Sequence, residues 1–305
     1  MSAERAASPA GSDAGTWTVL RLMRWSGEYL EARGVERGRL NAEHLLAHAL
    51  GVSRLDLYLQ FDRPLTAGEL DAFRPMLRRR ARREPLQHIL GTAAFRTLEL
   101  KVDSRVLIPR PETEVLVEEV LTWASERGTR SGGEGLSALD VGTGSGAIAL
   151  SLAAEGPFSR VVAVDVSGDA LEVARANAEA VGLASAVEFR EGSLFHPLAR
   201  GERFNVIVSN PPYVAEGDAG TLEPEVAEWE PAAALFAGPD GLEVVRAVVT
   251  EAAAWLEEGG LLALEVGMDQ APRVVEMLED AGGYHDLRVR RDLAGRDRVV
   301  LARRA

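Results

Sequence analysis

The sequence has no cysteine among its 305 residues, which excludes disulfides and thiolate metal ligands and suits a reducing cytosol. It also lacks any apolar run near the ~20 residues that cross a bilayer, and its first residues have no signal-peptide core. A soluble, cytoplasmic protein is expected. Basic residues are in deficit, with 34 lysines and arginines against 47 acids and a net charge of −13. That balance opposes broad attraction to nucleic acid phosphates, though it leaves room for a local basic patch.

What is present is length, with 46% hydrophobic residues, enough for a domain of about 200 residues and a smaller companion. Residues 1–15 are small and polar without period and are expected to be a disordered tail. Residues 16–86 read as a helical domain, with Leu20, Met23 and Leu30, then Leu45, Leu46 and Ala49, recurring at helical spacing. Asn41 is expected to cap the second helix and Gly51 to end it, and Thr66 with Glu69 forms a capping-box pair ahead of Leu70, Phe73 and Leu77. His44 and His48 are four residues apart, but no glutamate follows the first on its C-terminal side and no third ligand is evident, so they read as a plain helix face and no metal is expected. Residues 78–83 hold five arginines in six positions. This run reads as a solvated helix end complementing the macrodipole, or else as a contact for an acidic or RNA-rich partner.

Residues 87–108 are expected to form a linker, in which the alternation from Phe95 to Val102 suggests a strand within a β-hairpin. In the remainder, residues 109–305, a loop spans Gly128 to Gly135 and strands then alternate with helices, which predicts an α/β, doubly wound sheet. Strands are expected near Ala138–Val141, Val161–Asp165, Val187–Arg190, Phe204–Ser209, Leu261–Val266, Leu287–Arg291 and Val299–Ala302. Too few residues separate the last two for a crossover helix, so they should pair antiparallel.

Two turns in this region carry chemistry. Phe204 to Ser209 is a buried-strand pattern stopped abruptly by Asn210-Pro211-Pro212-Tyr213, and open α/β sheets bind ligands beyond the carboxyl ends of their strands. Neither proline has an N–H, so the Asn210 and Pro211 carbonyls can stay free to accept, while Asn210 adds an amide and Tyr213 a flat ring. These groups suit a planar substrate bearing an NH2, although a simple strand-ending turn accounts for the tetrapeptide taken alone. The second turn is Asp140-Val141-Gly142-Thr143-Gly144-Ser145-Gly146, where glycines let a ligand approach the backbone at a helix N-terminus. Asp165, 19 residues past Gly146, ends the next strand where it can accept both ribose hydroxyls of an adenosine. The order G-x-G-x-G, with acidic Asp140 available to a cationic centre, favours S-adenosyl-L-methionine over a dinucleotide. Arg110, held between Pro109 and Pro111, can aim its guanidinium at a carboxylate or phosphate.

Glycine turn, ribose acid and Asn-Pro-Pro-Tyr occur in the order of the class I methyltransferases that modify planar NH2 groups. More closely, the chain from Leu20 to Leu301 resembles the peptide-chain release factor glutamine methyltransferases, the HemK/PrmC family. Leu107 to Glu114, Glu230-Pro231, Gly238 to Leu242 and Leu264 to Gly267 support the likeness. The resemblance implies a helical N-terminal domain that recognises the release factor, a β-hairpin and a seven-stranded catalytic domain. It also implies S-adenosylmethionine as methyl donor and the glutamine of a Gly-Gly-Gln loop as acceptor. Its site would comprise Asp140, Gly142 to Gly146, Asp165 and Asn210 for the cofactor, with Asn210, Pro211, Pro212, Tyr213 and Arg110 for substrate and chemistry. Where relatives often carry an acid followed by an aromatic along the adenine, this chain has Ser193-Leu194, a possible acceptor and a packing surface. The enzyme is expected to act as a monomer on class I release factors, without direct contact to nucleic acid or membrane. Three rivals stay open at this point: a glutamine methyltransferase for a ribosomal protein, an adenine-N6 DNA methyltransferase, and a non-catalytic cofactor-binding regulator of translation termination.

Overall fold

The computed structural model describes residues 16–128 and 135–305; the expected tail and most of the Gly128–Gly135 loop lie outside the described residues. The chain divides between Leu90 and Gly91 into two compact units, so the hairpin expected within a linker belongs to the second unit.

The first unit is helical, with α1 (Val19–Glu31), α2 (Gly38–Leu50), α3 (Arg54–Leu59), α4 (Ala67–Ala81) and α5 (Leu86–Leu90). Val19, Leu22, Met23 and Leu30 form the buried stripe of α1 and meet Leu45, Leu46, Phe73 and Leu77 in one core, with Leu20 at its rim. Thr66 and Glu69 make the reciprocal capping box, at 3.2 and 2.8 Å. Gly51 ends α2 in the left-handed conformation. Asn41 is not a cap. The helix starts a turn earlier, behind Arg37, and the Asn41 side-chain oxygen instead accepts from Arg80 Nε at 2.8 Å. The arginine run is correspondingly not all solvated. Arg80 is 6% exposed and also donates to the Glu84 carbonyl, while Arg79 pairs with Glu84.

The second unit opens with a hairpin, β1 (Thr92–Phe95) and β2 (Leu98–Lys101), turning at Arg96 and Thr97 rather than running straight through Phe95–Val102. There follow α6 (Pro111–Gly128), β3 (Leu136–Val141), α7 (Ala147–Glu155), β4 (Phe158–Asp165), α8 (Gly168–Ala180), β5 (Val187–Glu191) and β6 (Phe204–Ser209). The chain ends with α9 (Pro224–Ala227), α10 (Glu243–Ala252), β7 (Leu256–Glu265), α11 (Ala271–Ala281), β8 (Tyr284–Arg291) and β9 (Asp297–Arg304). Seven strands form one sheet in the order β5-β4-β3-β6-β7-β9-β8. The five from β5 to β7 run parallel, and β9 pairs antiparallel with both β7 and β8.

Side-chain alternation along each strand feeds two cores. Leu139, Val162, Ile207 and Leu262 pack with α10 and α11 on one face. Ala138, Val161, Val206 and Leu261 pack with α6 and α7 on the other. The chain leaves β3 toward β4 and β5, then crosses back to place β6 on the far side of β3. The carboxyl ends of β3 and β6 therefore flank the switch point, where such sheets leave a crevice. No described helix is long and apolar enough to cross a membrane.

Candidate active site

That crevice is a cavity of about 440 Å³, in the size range of small-molecule sites. The turn after β3 forms one wall. Gly142, Gly144 and Gly146 hold φ of 78°, 54° and 84°, left-handed values that a side chain would strain. A Cβ built on Gly142 or Gly144 meets no atom within 4 Å, so the backbone faces open space and forms a cradle for a ligand. Asp165, ending β4, closes the turn: its two oxygens accept from Gly144 N at 2.8 Å and Ser167 N at 2.9 Å. Both retain lone pairs for further donors. The Asp165 carbonyl accepts from Gly192 N at 2.9 Å, which draws Ser193 and Leu194 to the same wall.

Asp140 lies beneath the turn, not on its surface. It is 0% exposed, and its Oδ2 accepts from the Thr143 hydroxyl at 2.6 Å and Ala149 N at 3.2 Å. Its Oδ1 has no partner. Burial, with Asp165 nearby, pushes its carboxyl up to about 7 against those hydrogen bonds.

A second wall is the turn after the neighbouring strand β6. Asn210, Pro211 and Pro212 line the cavity, and no turn or loop hydrogen bond ends on the Asn210 or Pro211 carbonyl. Asn210 Nδ2 donates to Thr113 Oγ1 at 3.1 Å, and Asn210 Oδ1 is buried without a partner. Tyr213 is half-buried and does not form a cavity wall. Its carbonyl accepts from Gln270 Nε2 at 2.9 Å, and a side chain on Gly241 would strike the same carbonyl at 2.3 Å. Arg110 lines the cavity, but its NH2 is occupied by Glu230, at 2.7 and 2.8 Å. The pair ties the start of α6 to the long segment after Tyr213. Burial raises the Glu230 carboxyl, and Arg110 opposes that rise.

One cavity thus gathers Arg110, Gly142, Thr143, Gly144, Ser145, Asp165, Ser193, Leu194, Asn210, Pro211 and Pro212. Asp140, Gly146 and Tyr213 stand behind its walls. Thr113, Glu265 and Gln270 support the Asn210 turn without having been singled out from sequence. Thr113 and Glu265 lie in stretches that carry the family likeness, but Gln270 has no local signal. Among the described residues no cluster could hold a metal ion.

A sheet of this order, with a glycine turn and a strand-end acid at its switch point, is that of the class I S-adenosylmethionine-dependent methyltransferases. The catalytic domain of hMettl16, solved with a 3′UTR hairpin, shares the fold at a TM-score of 0.55 and 14% identity, over 71% of this chain and 80% of that one. Residues 21–91 match the family described as PrmC N-terminal domain, and residues 124–226 match the methyltransferase small domain. The release factor glutamine methyltransferase of Geobacter sulfurreducens is 45% identical over 93% of this chain and 96% of its own length. That of Rhodopirellula baltica is 38% identical over 95% and 97%. The chain belongs to the release factor glutamine methyltransferase family.

Proposed function

We infer that the protein methylates the side-chain amide nitrogen of the glutamine in the Gly-Gly-Gln loop of class I release factors. The observation that carries the chemistry is the unpartnered Asn210 Oδ1 together with the Pro211 carbonyl, which accepts no turn or loop hydrogen bond, on residues that line the same cavity as the glycine cradle. An amide nitrogen is a poor nucleophile because its lone pair is delocalised into its carbonyl. Two acceptors at the end of β6 can take its two N–H groups and hold that lone pair in one direction, so positioning and electrostatics supply the catalysis. Bound S-adenosylmethionine supplies an electrophilic methyl group on a sulfonium. Gly142 to Ser145 and Asp165 would hold it, with Ser193 and Leu194 along the adenine and Gly146 shaping the turn from behind. Asp140, beneath the turn, acts on the cofactor site without contact, by holding Thr143 and the start of α7 in place. Tyr213 and Arg110 shape the acceptor side, Arg110 through the Glu230 pair that fixes the neighbouring segment.

The helical unit at residues 16–86 recognises the release factor. The enzyme acts on a protein and not on nucleic acid or a membrane, as a monomer, in the cytoplasm where release factors work. Incubation with S-adenosylmethionine and an intact class I release factor, followed by peptide mass spectrometry, should find one methyl on the glutamine of Gly-Gly-Gln. A methyl found instead on a ribosomal protein or on adenine of DNA overturns the reading.

A further inference from the structure

A primary amide is nearly symmetric in shape, so turning the Asn210 side chain over exchanges donor for acceptor at little steric cost. Something must decide which end faces the substrate. Asn210 Nδ2 donates to Thr113 Oγ1 at 3.1 Å, and Thr113 Oγ1 lies 2.7 Å from Glu265 Oε2. Thr113 is 4% exposed and Glu265 1%. Water is therefore a poor substitute for either partner. A hydroxyl has a single hydrogen, and an ionised carboxylate can only accept. With its hydrogen committed to Glu265, Thr113 offers Asn210 a lone pair and nothing else. Only the amide orientation with Nδ2 toward Thr113 then forms a bond, which leaves Oδ1 as the unpartnered acceptor.

We propose that Thr113 and Glu265 are positioning residues that fix the Asn210 amide with its oxygen free for the substrate N–H, through the chain Asn210 Nδ2, Thr113 Oγ1, Glu265 Oε2. The proposal rests on the reading of Asn210 Oδ1 as the acceptor for the glutamine amide. Topology builds it: Asn210 follows β6, Glu265 ends the adjacent β7, and Thr113 stands in the first turn of α6. Ionised Glu265 holds the orientation, whereas a protonated carboxyl can donate to Thr113, free the hydroxyl hydrogen for Asn210 Oδ1 and let the amide turn over. Glu265 is faced by Arg298 and Arg110, which favour its ionised form, and by Glu112, which opposes it. Tyr213 shares its field, and Asp292 lies by Arg298. Burial pushes the Glu265 carboxyl up to about 7, so the switch falls within the range an assay can reach.

The test compares Asn210→Ala, Thr113→Val, Thr113→Ser and Glu265→Gln in single-turnover methylation of an intact release factor at saturating cofactor, from about pH 6 to pH 9. Thr113→Val should transfer roughly tenfold more slowly, less than the loss of a direct catalytic hydrogen bond, with cofactor affinity within about twofold of wild type. Thr113→Ser should restore the rate, because it keeps the hydroxyl. The wild-type rate should rise through the ionisation of Glu265, and Glu265→Gln should flatten that limb. A serine variant as slow as the valine variant, or the same pH profile in wild type and Glu265→Gln, overturns the proposal. So does a normal rate in a folded Thr113→Val protein when Asn210→Ala is inactive. A normal rate in Asn210→Ala instead overturns the underlying reading of the site.

Discussion

Asp165 serves two partners at once. Its oxygens close the glycine turn through Gly144 and Ser167, and in the proposed reading they also accept the ribose hydroxyls. Asp165→Ala should therefore weaken cofactor binding by about 1.5–3 kcal/mol, the usual worth of hydrogen bonds to a charged group; calorimetry giving an unchanged affinity removes Asp165 from the site. Asp140 makes a pH signature instead. Burial lifts it from the ordinary 3.8 to about 7, so between those values the folded protein keeps a proton that the unfolded chain has released. Its contribution to stability is complete below the unfolded value and is lost as pH rises through the folded one. Asp140→Asn lacks this loss. The difference in Tm, variant minus wild type, should become more positive between about pH 4 and pH 7, and a constant difference contradicts the buried, neutralised carboxyl.

At the scale of elements, the Arg110–Glu230 pair decides how the segment after Tyr213 is held. The side chains are 30% and 1% exposed, so removing the cation strands a buried carboxylate. Arg110→Ala should cost about 3 kcal/mol in denaturant unfolding, at the lower end for a broken buried pair because Arg110 is partly solvated. A loss near zero makes the pair ornamental and returns Arg110 to a direct role with substrate.

The same scale separates what the sequence disclosed from what it hid. β6 was legible because its apolar run stops at two prolines, and the glycine turn, Asp165 and the Thr66–Glu69 box were legible because their signals are local. β7 begins at Leu256, five residues ahead of its apolar run; Leu256 pairs with Phe204, and Glu257, Glu258, Gly259 and Gly260, which carry no strand signature, fall in a register shift and have no partner in β6. Asn41 looked like a cap because apolar periodicity starts beside it, while its partner Arg80 lies 39 residues away. The contacts of Thr113 with Asn210 and with Glu265 were not legible for the same reason, although Thr113 and Glu265 lie in stretches that carry the family likeness: topology sets the partners, 97 residues away for Asn210 and Thr113 and 152 for Thr113 and Glu265.

For the whole molecule, the division at Gly91 separates a helical unit from one that contains the entire cavity. A fragment beginning at Gly91 should keep cofactor binding and lose most methylation of an intact release factor. Full-length rates from the fragment contradict a recognition role for the helical unit. The central claim is that Asn210 holds the acceptor amide, and the most direct test is single-turnover methylation of an intact release factor by Asn210→Ala alongside cofactor titration. Transfer should fall roughly 100- to 1000-fold, as for loss of one preorganised catalytic hydrogen bond, with cofactor affinity little changed. Near-normal transfer by Asn210→Ala contradicts the account.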